Sequence, residues 1–257
     1  MNDDRSHPKT EIKATKRSFT IVEKLLEDPS LTVSQLATEL DTSKSTVHNH
    51  LRTLQNIGYV VKSDDRYEIG LRFLNLGDRA RKRYQLYHPG KQEIDELVGA
   101  VGERAQLMVE ENGDGVYIYQ AKADSAIQTD SHIGTTTPMH ATAVGKSYLA
   151  FLPADERRQI LDEIAFEPHT QNTITDRESF ERSLEEVREA GVAFNDEERI
   201  TGMRAIGAPI LANDDRVLGA ISVSGPTTRM KGERYTEDIP DQVKQAARVI
   251  GIRATHQ

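Results

Sequence analysis

The chain has 257 residues, enough for two domains of ordinary size, with 33 basic against 41 acidic side chains and a formal net charge of −8. It contains no cysteine, which excludes disulfides and cysteine-held zinc or iron–sulfur centres and fits a reducing compartment. No apolar run approaches the roughly 18 residues of a membrane span and the start is polar, so a cytoplasmic protein with no membrane partner is expected.

Residues 1–14 are polar and aperiodic and read as a disordered tail. From Ser18, the residues Phe19, Val22, Leu25 and Leu26 form one helical stripe that stops at Asp28-Pro29. Thr32 with Gln35 is a capping-box pair opening a second helix, whose inner face is Val33, Leu36, Ala37 and Leu40. Asp41 takes the turn, and Thr42 is placed to cap a third helix over 43–57, with Val47, Leu51, Leu54 and Ile57 facing inward. Gly58 ends it, and two short apolar runs around Ser63–Arg66 read as a hairpin. Three helices and a hairpin over 15–70 describe a winged helix–turn–helix.

That segment carries a second signal. Between Thr42 and Ser63 there are Lys44, Arg52, Lys62, His48 and His50 and no acid at all, in a chain rich in acids. A surface cleared of negative charge suits a polyanion, and the shape suits duplex DNA. The outward face of the third helix offers Ser45, Asn49 and Arg52, groups able to read base edges. Ser43, Lys44, Ser45 and Thr46 stand at its start, where free backbone N–H groups and the helix dipole favour phosphate. Lys62 and Arg66 place the wing against neighbouring backbone, and His48 lies nearer the rim as a packing or phosphate neighbour. The alternative is a solvated surface helix of a protein-interaction module.

Residues 71–87 read as a linker helix, after which helices and strands alternate through 88–257. Strands are expected over 106–109 and 116–120 around Asn112-Gly113, and over 205–211 and 217–224 around Asn213-Asp214-Asp215. Helices are expected over 141–152, 155–164, 176–190 and 237–251. The fold class is therefore α+β.

No catalytic chemistry is legible. His140 to Ser147 resembles a phosphate loop, but His140 replaces its first glycine and Pro138 precedes it, so a loop entering a helix N-terminus is the better account. His132, His140 and Asp130 are too scattered for a metal site, Ser147, Ser222 and Ser224 lack a His–acid partner, and the paired acids Glu197-Glu198 read as solvated or capping. No cofactor is called for. Small and polar residues do gather where strand ends and a helix start could converge: Thr142, Ala143, Val144, Asn195, Ser222 and Ser224. A concave site of that kind suits a small metabolite.

The blocks LATEL, SKSTVHNHLRTLQNIGYV and RYEIGLRFLNLG, then PMHATAVGKSYLA, EVREAGVAFNDEE, RAIGAPI and GAISVSGPTTR, resemble an IclR-type transcriptional regulator from about Thr15 to Ala254. The resemblance implies a winged helix–turn–helix followed by a GAF-like effector-binding domain, acting as a homodimer or homotetramer on double-stranded operator DNA. It places the effector pocket on Ala143, Val144, Asn195, Met203, Ala205, Ser222 and Ser224. In relatives the position of Asn195 is often Asp and that of Ala205 can be Cys, while Asp41 and Ser43 stand where Gly and Pro are frequent. The short, tyrosine-rich wing and acidic body resemble archaeal members. An organic acid or sugar-derived effector is expected, against a ligand-free DNA binder or a nucleotide-binding enzyme.

Overall fold

The computed structural model describes residues 11–124, 126–127 and 129–256. Two compact units divide between Ala80 and Arg81, within the stretch read as the linker. Of the segment read as a disordered tail, residues 1–10 lie outside the described residues, and Lys13 and Ala14 already belong to the first helix.

In the first unit, α1 (Lys13–Glu27), α2 (Val33–Glu39) and α3 (Lys44–Asn56) pack around Ile21, Leu25, Leu36, Val47 and Leu51, and the hairpin β1 (Val60–Ser63) with β2 (Arg66–Ile69) closes the core with Val60 and Tyr67. Thr32 and Gln35 form both arms of the capping box. Asp41 takes a left-handed turn, φ +44°. Three local expectations change. The stripe of α1 that is buried is Ile21 and Leu25, one turn apart, whereas Phe19 and Leu26 face outward. Ile57 falls beyond the last turn of α3 and is also exposed. The cap of α3 is Ser43 and not Thr42, because the Ser43 hydroxyl accepts from the Thr46 amide while the Thr42 amide bonds back to Ala37.

Helix α4 (Arg72–Lys82) follows and buries none of its side chains. It stops before the expected end because Leu86 and Tyr87 are drawn into the core of the second unit, and two turns at Tyr84 and Tyr87 redirect the chain. There α5 (Tyr87–Val101) starts, a helix the sequence reading missed.

The second unit is built on an antiparallel six-stranded sheet. Its strands are β3 (Arg104–Glu111), β4 (Asp114–Lys122), β5 (Thr136–Thr137), β6 (Ala193–Asp196), β7 (Met203–Leu211) and β8 (Val217–Pro226). Their spatial order is β5-β4-β3-β8-β7-β6. Alternation along the strands assigns two faces. Leu107, Val109, Ile206, Ile210, Ile221 and Val223 point to one, where α5 and α9 (Ile239–Thr255) cover them. Met108 and Ala220 point to the other, where α6 (Ala143–Phe151) lies with α8 (Arg177–Ala190) and α7 (Ala154–Glu163) outside it. No described helix is long and apolar enough to cross a membrane.

Candidate nucleic-acid interface and ligand cavity

Helix α3 turns Val47, Leu51 and Leu54 into the core, and this fixes what it presents outward. Lys44, Ser45, His48, Asn49 and Arg52 are exposed, and Thr46 is half-buried. The Ser43 hydroxyl is occupied: it holds the Thr46 amide at 3.1 Å and lies 2.8 Å from the hydroxyls of both Ser45 and Thr46. It therefore shapes the helix start. His50, by contrast, packs inward, its Nδ1 2.8 Å from the Ser18 hydroxyl on α1. On the wing Lys62 and Arg66 are exposed; Lys62 reaches over the Tyr67 ring, 6.0 Å from its centroid. Arg66 is close enough to Asp28 to help hold that carboxylate below its usual range, after the larger effect of Ser30. Arg52, Asn49 and Lys44 are thus all exposed on a helix that carries no acid.

In the second unit the helix-covered layer does not extend over the whole sheet. The register puts Arg104 opposite Ser224, Gln106 opposite Ser222, and Ala205 and Gly207 opposite the same two serines. These side chains leave the sheet on the face of α6, and the space above them is a cavity of about 250 Å³. Ala143, Val144, Asn195, Met203, Ala205, Ser222 and Ser224 all line it, as do Thr129, Ser131, Thr142 and Arg199. Helix α6 comes this close to the sheet because Gly207 faces it, and to the turn before it because its own Gly145 lacks a side chain. A Cβ at Gly207 would stand 2.5 Å from the Ala143 carbonyl oxygen, and one at Gly145 would stand 2.3 Å from the Met139 Cα. Thr142 caps α6 through the Gly145 amide at 3.3 Å, leaving the N–H groups of Ala143 and Val144 without a protein acceptor.

Asn195 is buried, but its amide is committed. Nδ2 donates to the Ala141 carbonyl at 2.7 Å and Oδ1 accepts from the Glu198 amide at 3.2 Å. It fixes the approach to α6 against the loop after β6, and one N–H and one lone pair of the amide remain on the cavity lining. Glu198 is not the solvated acid the sequence implied: it is buried and grips Lys146, Nζ to Oε1 2.6 Å and to Oε2 2.8 Å. The lysine of the phosphate-loop look-alike is thereby consumed by an ion pair. His140 is buried with its Nε2 3.0 Å from the Glu167 carbonyl oxygen, and no cluster of three metal-ligating groups occurs among the described residues. Arg199 pairs with Asp130 at 3.0 Å. They come from the loops after β6, an edge strand, and after β4, which lies next to the other edge, and both line the cavity. Arg104, Thr129, Ser131 and Arg199 went unread because their meeting depends on long-range pairing; the alternation of Ser222 and Ser224 with Ile221 and Val223 was the one visible clue.

Comparison with known proteins agrees with this architecture. The IclR helix-turn-helix domain matches residues 14–64 and the C-terminal domain of the bacterial transcriptional regulator IclR matches residues 79–252. The probable HTH-type transcriptional regulator ArcR of Halobacterium salinarum is 35% identical over 237 residues, covering 91% of this chain and 90% of its own. The HTH-type transcriptional regulator KdgR of Escherichia coli is 30% identical, covering 98% and 96%. Among solved structures, IclR of Thermotoga maritima superposes with a TM-score of 0.83 at 27% identity, over 96% of this chain and all of that one. With a winged helix–turn–helix ahead of an α+β domain and no catalytic constellation among the described residues, the chain belongs to the IclR family of transcriptional regulators.

Proposed function

We propose that this regulator responds to a small carboxylate bearing hydroxyl or oxo groups, bound in the cavity of the second unit. The observation that carries the reading is Ser222. It is 4% exposed, lines the cavity, and its hydroxyl has no hydrogen-bond partner among the described residues. A hydroxyl that opens onto a cavity without a protein partner is free to bond a ligand there. The free N–H groups of Ala143 and Val144 and the second serine, Ser224, offer further donors around the same space, and the hydroxyls of Thr129, Ser131 and Thr142 suit an oxygen-rich molecule. The volume limits it to about a dozen non-hydrogen atoms, below drug size.

On the DNA side, a homodimer would set two copies of α3 in successive major grooves, on half-sites about one helical turn or a multiple apart. Support for self-association comes from Phe19, Leu26, Leu71 and Leu74, large apolar side chains exposed in the first unit. Effector binding would bias this arrangement through α4, which runs across the division between the units. Coupling of about 1–3 kcal/mol would change operator affinity by roughly 5- to 150-fold. The test pairs Ser222→Ala with Ser224→Ala and measures release from promoter fragments adjoining the protein's own gene. Loss of the metabolite response with DNA binding intact is expected. A double variant that responds like the unaltered protein refutes the assignment.

A further inference from the structure

Behind Thr129 and Ser131, which line the same cavity, lies a cation that lacks a counter-ion. Arg104 opens β3 directly opposite Ser224, so its side chain projects on the cavity face, yet it is only 4% exposed. Its Nη1 donates to the hydroxyls of Thr129 and Ser131, the latter at 3.1 Å, and its Nη2 to the Ile127 carbonyl at 2.9 Å. Its Nε is buried with no partner, and among the described residues no carboxylate lies within ion-pairing distance. Asp130, the acid whose charge acts on it, is already paired with Arg199. Two guanidiniums therefore face one carboxylate. Burial pulls the Arg104 guanidinium below its ordinary pKa, with Tyr117 and Asp130 opposing that effect, yet a guanidinium stays charged in proteins.

Proton counting shows what this wall can bind. Ser131 Oγ accepts from Arg104 and, at 3.0 Å, from Gln106 Nε2, which fills both its lone pairs. Its own proton must be donated. If it goes to Thr129 Oγ1, 2.9 Å away, that oxygen is filled as well, since Arg104 already donates to it, and the Thr129 proton is the one left over. Either way one hydroxyl donor remains for the cavity, polarised by the guanidinium behind it. The wall has donors and excess positive charge to offer; Ser131 has no free acceptor, and Thr129 keeps one lone pair only where Ser131 turns its proton to the cavity.

We infer that Arg104, acting through Thr129 and Ser131, is the positioning residue that makes the cavity select an acid over its neutral counterpart. The inference rests on the reading of this cavity as the effector site. The serines and the first turn of α6 accept any carbonyl or hydroxyl oxygen; the Arg104 wall adds the demand for negative charge, and a bound carboxylate supplies the compensation that the buried guanidinium lacks.

The test uses the full chain and a panel of 2-hydroxy and 2-oxo acids of three to six carbons, each beside its neutral primary amide. Binding is read by thermal shift and calorimetric titration. At least one acid is expected to raise the melting temperature while its amide does not. Arg104→Met should weaken that acid at least tenfold, Arg104→Lys should restore part of the loss, and amide binding should not change. Thr129→Val with Ser131→Ala removes the relayed donors, leaves the guanidinium, and should reproduce the loss even if Arg104→Met folds poorly. Equal binding of acid and amide, no binding by any acid, or retained acid affinity in both variants overturns the inference. Ala205→Phe separates the two levels. If it fills the cavity and acid binding survives, the effector site itself is misplaced; if it abolishes binding that Arg104→Met and the hydroxyl variant leave intact, only the role of Arg104 falls.

Discussion

Replacing Lys146 by Met examines the buried pair that joins α6 to the loop after β6. Lys146 and Glu198 are both nearly inaccessible, and two short charge-assisted hydrogen bonds connect them. The carboxylate has few alternatives. The backbone of Glu198 is fixed by Asn195 on one side and by Thr173, whose hydroxyl donates to its carbonyl at 2.6 Å, on the other. It cannot swing into water, so losing the lysine leaves a buried acid uncompensated, at a cost of about 3–5 kcal/mol. For a protein of this size that corresponds to a fall of roughly 6–20 °C in melting temperature. The chain has no tryptophan, so urea unfolding is best followed by far-ultraviolet circular dichroism. The variant Lys146→Met with Glu198→Leu should recover most of the loss, because the charge that suffers has gone as well. A single variant losing less than about 1 kcal/mol, or a double variant no more stable than the single, refutes the reasoning.

Other consequences can be measured as directly. Arg52→Ala should cost about 1–3 kcal/mol on operator DNA and relax discrimination at one base pair, whereas Lys44→Ala should weaken all duplexes alike; salt-dependent titration on specific and random fragments distinguishes the two. Ser43→Ala removes the cap of α3 and should destabilise the first unit by about 1 kcal/mol, read as a lower denaturation midpoint. Asp176 caps α8 by accepting from the Ser179 amide at 2.8 Å, which holds its carboxyl below the usual range. A pKa depressed by folding adds stability above the unfolded value and loses it as pH falls through the folded one. Asp176→Ala should therefore lower the melting temperature at neutral pH, with the difference from the unaltered protein starting to shrink below about pH 4 and vanishing only once pH passes the lower folded-state value.

Where local chemistry decides, the sequence was readable. Thr32 with Gln35, Asp41 and Gly58 each mark a backbone event set by neighbours within a few positions, and the capping box and the left-handed turns stand where they were read. The shift of the α3 cap by one residue came from two adjacent hydroxyl residues of similar capping ability, with the fold choosing between them. Helix α5 escaped notice because Pro89 and Gly90 look like breakers, yet they stand in its first turn, where a missing N–H does no harm. Long-range pairs were invisible: Lys146 and Glu198 are 52 positions apart, and each resembled something else, a phosphate-loop lysine and a surface acid. The structural bond of Asn195 was hidden for the same reason, since the Ala141 carbonyl that accepts from its amide is 54 positions away.

Gly145 and Gly207 let α6 rest on bare main chain, and this restricts how the chain can be retuned. A methyl at Gly207 would push the helix off the sheet and one at Gly145 would push it off the turn at Met139, so neither can be used to resize the chamber. Adaptation to a bulkier or slimmer effector must instead come from the side walls, at Ala143, Ala205 and Met203, where atoms can be gained or lost without shifting the support beneath them. The floor of the chamber is rigid by construction, and its width is what mutation is free to alter.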